Sequence, residues 1–324
     1  MTHDKTTDAL RASRLYYEQG RSMEEIAEEL HTSRSTISRL LSHAREAGLV
    51  EIRINPLHSQ VEDLRAIIGG YYGVWADVTY VPRSAMPTER MERTAAQAAH
   101  LLGETFDSDM ILGLSWGTMV NAISKFLTPK TTVNTQIVQL NGVGHPRSTG
   151  AHYSGPMLVN YANAFGSYAQ QLPLPVFFDS ADTRQAMFRE RSIRRIVDLQ
   201  GSADVVLFNV GTVSDGVPSS PYLSGYFLDD SDFADLRADG AVGDVATLFI
   251  DARGQHENIR FNGRTSGPSA EAVKRAGCRI CAVSGDHKVE ALHAALLGGF
   301  ITHLVTDELT AETLIARYRL DRET

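Results

Sequence analysis

Cysteine is scarce in this chain of 324 residues, with two in all, and no long unbroken apolar run occurs. Two thiols exclude a disulfide framework and fit a reducing compartment. No run reaches the roughly 20 residues that a membrane-spanning helix needs. The opening MTHDKTT is polar and has no apolar segment behind it, so no secretion signal is read there. These absences predict a soluble, cytoplasmic protein. Positive charge is in deficit too: 31 Lys and Arg stand against 39 Asp and Glu, a net charge of −8. That excludes a protein that coats nucleic acid non-specifically, so any basic character must be local. There is no internal repeat or low-complexity tract, and the length suits a small domain plus a larger one.

What is present begins with Ser22 to Ile54. Ser22 and Glu25 form an S-x-x-E capping box, which starts a helix at Met23. Met23, Ile26, Ala27 and Leu30 recur at helical spacing, so one face is buried and Glu24, Glu25, Glu28 and Glu29 stay wet. Ser33 caps a second helix, with Ile37, Leu40, Leu41 and Ala44 as its apolar stripe and Gly48 as its stop. A plain helical hairpin would carry an ordinary charged outer face. Instead Arg34, Ser35, Thr36, Ser38 and Arg39 crowd the N-terminal end, the donors a recognition helix offers to phosphates and base edges. Between Ser33 and Arg53 four arginines face two glutamates, a local excess of two positive charges. Leu49 to Ile54 alternates apolar and charged residues and predicts a strand or wing. Upstream, Asp8 caps a helix over about Ala9 to Gln19, with Gly20 as its end.

Asn55-Pro56 marks the domain boundary. Leu57, Val61, Leu64 and Ile68 then recur at helical spacing, predicting a linker helix whose stripe pairs with a second subunit, as two-fold DNA sites favour, or else joins the next core. Beyond Gly69 strands and helices alternate. Strands are expected at Trp75–Val81, Met110–Leu114, Thr135–Leu140, Val176–Phe178, Asp204–Val210, Thr247–Ile250, Arg279–Val283 and Ile301–Val305. Helices are expected at Pro87–Leu102, Thr118–Leu127, Tyr153–Ala164, Thr183–Leu199, Lys288–Leu297 and Ala311–Tyr318. The pattern predicts an α/β fold: residues 1–55 as a winged helix-turn-helix domain, 56–70 as a linker and oligomerisation helix, and 71–324 as a doubly wound, mostly parallel sheet. Ligands in such sheets bind in the loops at the carboxyl ends of the strands.

Gly113-Leu114-Ser115-Trp116-Gly117 matches the G-x-S-x-G nucleophile elbow, for which His287 and Asp251 or Asp286 would have to complete a triad. It follows only the second strand of its domain, and no oxyanion segment precedes it. An anion cradle reads better: glycines admit the ligand to the backbone, Ser115 and Thr118 supply hydroxyls, and a helix begins beside them. In Ser284-Gly285-Asp286-His287-Lys288, Asp286 is the expected N-cap. A cation at Lys288 in the first turn opposes the helix dipole unless an anion lies between, or else it is simply solvated. The loop Gly240–Asp244 offers Asp244 for sugar hydroxyls or for capping a turn, and Asn141 brings an amide to another strand end.

Cys278 and Cys281 lie three apart on a strand and face opposite sides, so packing is their expected role. His145 and His152 lack zinc-site spacing. Arg184, Arg189, Arg191, Arg194 and Arg195 spread around several helix faces, as solvated or subunit contacts do.

With these residues in hand, the chain resembles the SorC family of bacterial transcriptional regulators. The resemblance runs nearly the whole length, through MEEIAEELHTSRSTISRLLSHAREAGLVEI, GLSWGT, SADVVLFNVG, GAVGDV and KVEALHAALLGGFITHLVTDELTA. It implies a DNA-binding regulator of a carbohydrate-utilisation operon, repressor-like and without catalysis, cofactor or metal. Its partners would be operator DNA, a phosphorylated sugar, and further copies of itself in a dimer or tetramer. Phosphate contacts are implied at Ser115, Gly117 and Thr118, a phosphate or sugar contact at Lys288, and sugar contacts at Asn141 and Asp244. Met119 stands where the family loop often has a second threonine, and Asn141 where some members are basic. Both departures favour reversible binding of a monophosphate. The rival readings are an enzyme of sugar-phosphate isomerase type and the serine hydrolase.

Overall fold

A computed structural model describes residues 5–50, 59–144, 151–213 and 227–323. The chain divides into two compact units, Met1–Leu57 and His58–Thr324. In the first, α1 (Lys5–Ser13) runs into a π-turn (Arg14–Glu18), followed by α2 (Met23–Glu29) and α3 (Arg34–Glu46). The first helix thus begins earlier than expected and closes in a wider turn. Ser22 and Glu25 form the capping box, with the Glu25 amide donating to Ser22 Oγ and the Ser22 amide to Glu25 Oε2. Ser33 caps α3 through the Thr36 amide. Between α2 and α3 the chain reverses at His31, whose φ of 49° is left-handed. The Thr32 amide reaches back to Ala27 O at 2.9 Å, so the helix end is satisfied without a glycine. Ala12, Leu15, Ile26, Ala27, Ile37 and Leu41 form this unit's core. The expected wing falls mostly on residues 51–58, outside the described residues, as does the Asn55-Pro56 boundary.

The second unit opens with α4 (Ser59–Tyr72), β1 (Trp75–Thr79), α5 (Pro87–Thr105), β2 (Ile111–Leu114) and α6 (Thr118–Ile123). Then come β3 (Gln136–Gln139), α7 (Ala151–Phe165), β4 (Tyr168–Gln170), α8 (Ala181–Phe188), α9 (Arg191–Gln200), β5 (Val205–Phe208) and β6 (Val210–Thr212). The remainder comprises α10 (Asp230–Ala238), β7 (Ala241–Val245), β8 (Leu248–Asp251), α11 (Ala270–Arg275), β9 (Cys278–Val283), α12 (Val289–Leu297), β10 (His303–Asp307) and α13 (Glu308–Glu323). Seven strands pair in parallel in the order β1-β10-β9-β5-β2-β3-β4, and β6-β7-β8 form a separate antiparallel sheet. From β2 the chain winds outward through β3 to β4, and from β5 the other way through β9 to β10. The switch point therefore lies between the ends of β2 and β5, where a crevice opens for ligand.

Both faces of the large sheet are buried, which is why its strands read as continuous apolar runs. Val205 and Leu207 pack with α5, α6 and α7, whereas Val206 and Phe208 pack with α4, α12 and α13. The same alternation sends Cys281 into the second layer and Cys278 toward the first, as their spacing predicts.

Several expected elements are redrawn. Val61, Leu64 and Ile68 are buried in the unit's own core, so these residues of the α4 stripe pack on the domain, while Leu57 lies outside the described residues. Residues 183–199 form two helices, broken at Arg189 and Glu190. Within Val176–Phe178 only Phe177 makes a bridge, an isolated one to Thr265. Gly240–Asp244, expected as a loop, is mostly the strand β7. No helix among the described residues is long and apolar enough to cross a membrane.

Candidate DNA-binding and effector sites

The N-terminal end of α3 carries the expected donors. Arg34, Ser35, Ser38 and Arg39 are exposed and Thr36 is half-buried, while Ile37 and Leu41 turn inward. Ser33 Oγ lies 2.8 Å from Ser35 Oγ and 2.9 Å from Thr36 Oγ1, so two hydrogen bonds link the three hydroxyls. Arg34 Nε contacts Glu24 Oε1 at 2.7 Å, and Arg39 Nε donates to Ser35 O at 3.3 Å.

In the second unit, the loop after β2 brings Ser115 to the switch point. Its amide donates to Leu207 O on β5 at 3.0 Å, which fixes the loop across both strands. Ser115 is 1% exposed, yet its hydroxyl has no hydrogen-bond partner among the described residues. A buried hydroxyl left this way costs free energy, and such a group in a binding crevice is a donor held in reserve. Among the described residues no histidine contacts Ser115, so the triad that a nucleophile elbow needs is not assembled by them. Thr118 is exposed at the start of α6, and Met119 is packed in the core. The α6 helix is shorter than expected, ending at Ile123, so the site depends on loop groups more than on a helix dipole. A side chain at Gly117 would meet Asn209 Oδ1 at 2.9 Å. Asn209 stands at the end of β5, where the chain bends into β6.

The end of β3 brings in Asn141, 2% exposed, whose Oδ1 accepts from the Trp116 amide at 3.4 Å. Trp116 Nε1 donates to Gly142 O at 2.6 Å. Beneath them, Gln139 Nε2 donates to Asn141 O at 2.7 Å, and Gln200 Nε2 donates to Gln139 O and Leu140 O. The Asn141 and Ser115 loops are thereby locked together.

The end of β9 leads through Ser284-Gly285 and a 3₁₀ turn, Asp286–Lys288, into α12. Asp286 does not cap the helix as expected. Lys288 itself stands at the N-cap of α12, and Gly285 at that of the 3₁₀ turn, at φ 116°, where a side chain would strike the His287 ring at 2.7 Å. Asp286 instead pairs with Arg90 Nη2 at 3.0 Å, and Arg90 also holds the fully buried Asp307 and Thr310. The Gly285 amide donates to Thr310 Oγ1. On its other side the loop is tied by Lys288 Nζ, which donates to Val210 O at 2.8 Å. Burial pushes the Lys288 ammonium below the usual lysine range, and the carboxylate of Asp244 pulls it back.

Asp244 lies opposite Gly211 in the small sheet, 5% exposed, and accepts from the Thr247 amide at 2.7 Å through Oδ2. The turn it braces, Ala246 and Thr247, has both residues buried at positive φ. The β5–β6 bend thus joins two groups, Ser115 to Thr118 with Asn141 on one side and Asp244 with Lys288 on the other. Sequence reasoning missed Asn209, Trp116, Arg90 and Asp307. Asn209 alone had a visible signal, as a polar residue inside the apolar run VVLFNVG. Among the described residues no cluster of His, Cys, Asp or Glu could hold a metal, and His145 lies outside them.

A three-helix unit whose second and third helices are serine-capped and whose third is rich in donors at its start, together with a parallel sheet with polar loops gathered at its switch point, has the make-up of a ligand-responsive DNA-binding protein. Comparison with known proteins agrees. The sugar-binding domain family model, Sugar-bind, matches residues 73–316, and the model of sigma-70 region 4 matches residues 14–47. The deoxyribonucleoside regulator of Bacillus subtilis (strain 168) is 34% identical over 319 residues, covering 97% of this chain and 99% of that protein. A domain of a possible sugar-binding transcriptional regulator from Arthrobacter aurescens TC1 superimposes with a TM-score of 0.75 at 38% identity, covering 81% of this chain and 100% of that one. The full-length sorbitol operon regulator SorC of Klebsiella pneumoniae shares the fold, with a TM-score of 0.80 at 24% identity over 97% of this chain and 100% of that one. The chain belongs to the SorC family of transcriptional regulators with a sugar-binding domain.

Proposed function

We propose that this regulator binds the operator of a carbohydrate-utilisation operon as a homo-oligomer and is controlled by a phosphorylated sugar. In this reading Ser115, Gly117 and Thr118 take the phosphate, Lys288 neutralises it, and Asn141 and Asp244 read the sugar hydroxyls. Arg34, Ser35, Thr36, Ser38 and Arg39 meet the DNA. The observation that carries the effector reading is the buried, unpartnered hydroxyl of Ser115 at the switch point. Lys288, a half-buried ammonium with a carboxylate nearby, is suited to an anion that completes its solvation. One DNA-binding unit has only a small local positive excess, so several copies are needed for useful affinity. The effector regulates by binding the operator-bound and free states unequally.

A thermal-shift screen of phosphorylated and free pentoses, hexoses and polyols tests the effector. A ligand at a hundredfold excess over its Kd stabilises the fold by about 2.7 kcal/mol. Shifts confined to phosphorylated compounds support the proposal, and shifts confined to free sugars overturn it. For the DNA half, Arg34→Ala and Thr36→Ala should each weaken operator binding; unchanged affinity in both removes the recognition-helix assignment.

A further inference from the structure

Outside both sites, one buried polar group stands in an otherwise apolar helix. The helix α12, VEALHAALL, is buried along nearly its whole length, and His293 is its polar exception at 1% exposure. An imidazole there costs free energy unless both nitrogens are partnered, and leucine or phenylalanine would serve packing alone better. Both nitrogens are partnered, each on a different helix. Nδ1 lies 2.7 Å from the hydroxyl of Tyr72, the last residue of α4, and Nε2 lies 3.4 Å from Asp321 Oδ2 on α13. The carboxylate only accepts, so Nε2 carries the proton and Tyr72 donates to Nδ1. Asp321 is held in turn by Arg317 at 3.3 Å. Tyr72 also meets Tyr318 edge-on at 5.0 Å, and Tyr71 stacks on Tyr318 at 4.1 Å.

The two ends of this arrangement differ in kind. Lys288 is the N-cap of α12, five residues before His293, about 7.5 Å away along a rigid helix. The α4 helix is the first described element after the DNA-binding unit. We infer that His293 is a positioning residue that transmits movement of the Lys288 end of α12 to α4, using the Tyr72 hydroxyl as the coupling. The inference rests on the reading of Lys288 as an effector contact. A shift of α12 must either carry the Tyr72 hydroxyl with it or break a buried hydrogen bond, so α4 follows in discrete steps.

A double-mutant cycle read by hydrogen–deuterium exchange on the full chain tests this without a ligand. The variants are Lys288→Met, Tyr72→Phe and the pair, and the readout is the exchange of the last turn of α4 relative to that of β5, which cancels global destabilisation. Tyr72→Phe keeps the ring and its stacking, and should speed exchange in that turn about fivefold, the loss of one hydrogen bond. Lys288→Met should also speed it in the wild-type background and add nothing once Tyr72 is phenylalanine. No effect of Lys288→Met on α4, or effects that simply multiply, overturns the inference. Because no ligand enters the cycle, its failure leaves the effector reading intact. Failure of the sugar-phosphate screen likewise leaves the cycle to be judged by itself.

Discussion

Arg34 Nε rests 2.7 Å from Glu24 Oε1, so the first guanidinium of α3, the proposed recognition helix, is held by an acid of the helix before it. Both side chains are largely exposed, and such pairs are worth at most about 1 kcal/mol. Glu24→Gln frees the arginine and removes a charge that repels DNA. Operator affinity should rise up to about fivefold at low salt, and the slope of log K against log salt should steepen by about 0.9 for one more phosphate neutralised. Competition binding at several salt concentrations measures both quantities, and an unchanged slope would show that Arg34 does not reach phosphate.

Ser115→Ala removes a hydroxyl that the unliganded fold leaves unpartnered. The variant should be as stable as wild type or more so, by about 1 kcal/mol, because an orphaned buried group is deleted. Its thermal shift with the best sugar phosphate from the screen should be lost or strongly reduced. Lower stability with an intact ligand shift would place Ser115 in the scaffold and not in the cradle.

Arg90→Met leaves Asp307 buried with its guanidinium removed. Breaking a buried pair from one side costs roughly 3–5 kcal/mol. Urea unfolding should register that loss, and adding Asp307→Asn should recover part of it. The double variant should still bind the effector more weakly than wild type, because Asp286 has lost its hold on the Lys288 loop.

Burial lowers the pKa of His293, so the folded state keeps it neutral where the unfolded chain takes up a proton. Stability from this group is full above the unfolded pKa, about 6.5, and is lost as pH falls below it toward the depressed folded value. The slope is at most about 1.4 kcal/mol per pH unit. Urea midpoints between pH 7.5 and 5 should fall less steeply in His293→Gln than in wild type. Parallel profiles would mean that other groups, such as His303 and His287, set the acid limit.

The helix-turn-helix could be read residue by residue because its signals are local: a serine three residues before a glutamate, a serine before the second helix, and a stripe at helical spacing. The switch-point loops were also visible, since strands buried on both faces read as apolar runs. Other features depended on partners distant in sequence. Gly243 suggested a loop, but it is glycine because β7 packs closely on α12, where a side chain would meet Ala291 Cβ at 2.4 Å and Gly211 O at 2.3 Å. The α4 stripe looked the same whether it faced a partner or its own core, and only three-dimensional packing shows Ile68 inside that core. Asp286 had the chemistry of a cap, and Arg90, 196 residues away, claimed it for an ion pair.

Ser33, Ser35 and Thr36 close their hydroxyls on one another at the tip of α3. Two hydrogen bonds link the three hydroxyls, so one O–H hydrogen is left for another acceptor. On the proposed recognition role, a hydroxyl that turns to a base edge gives up a bond inside the cluster, so the cap that starts α3 also sets how its polar tip is presented.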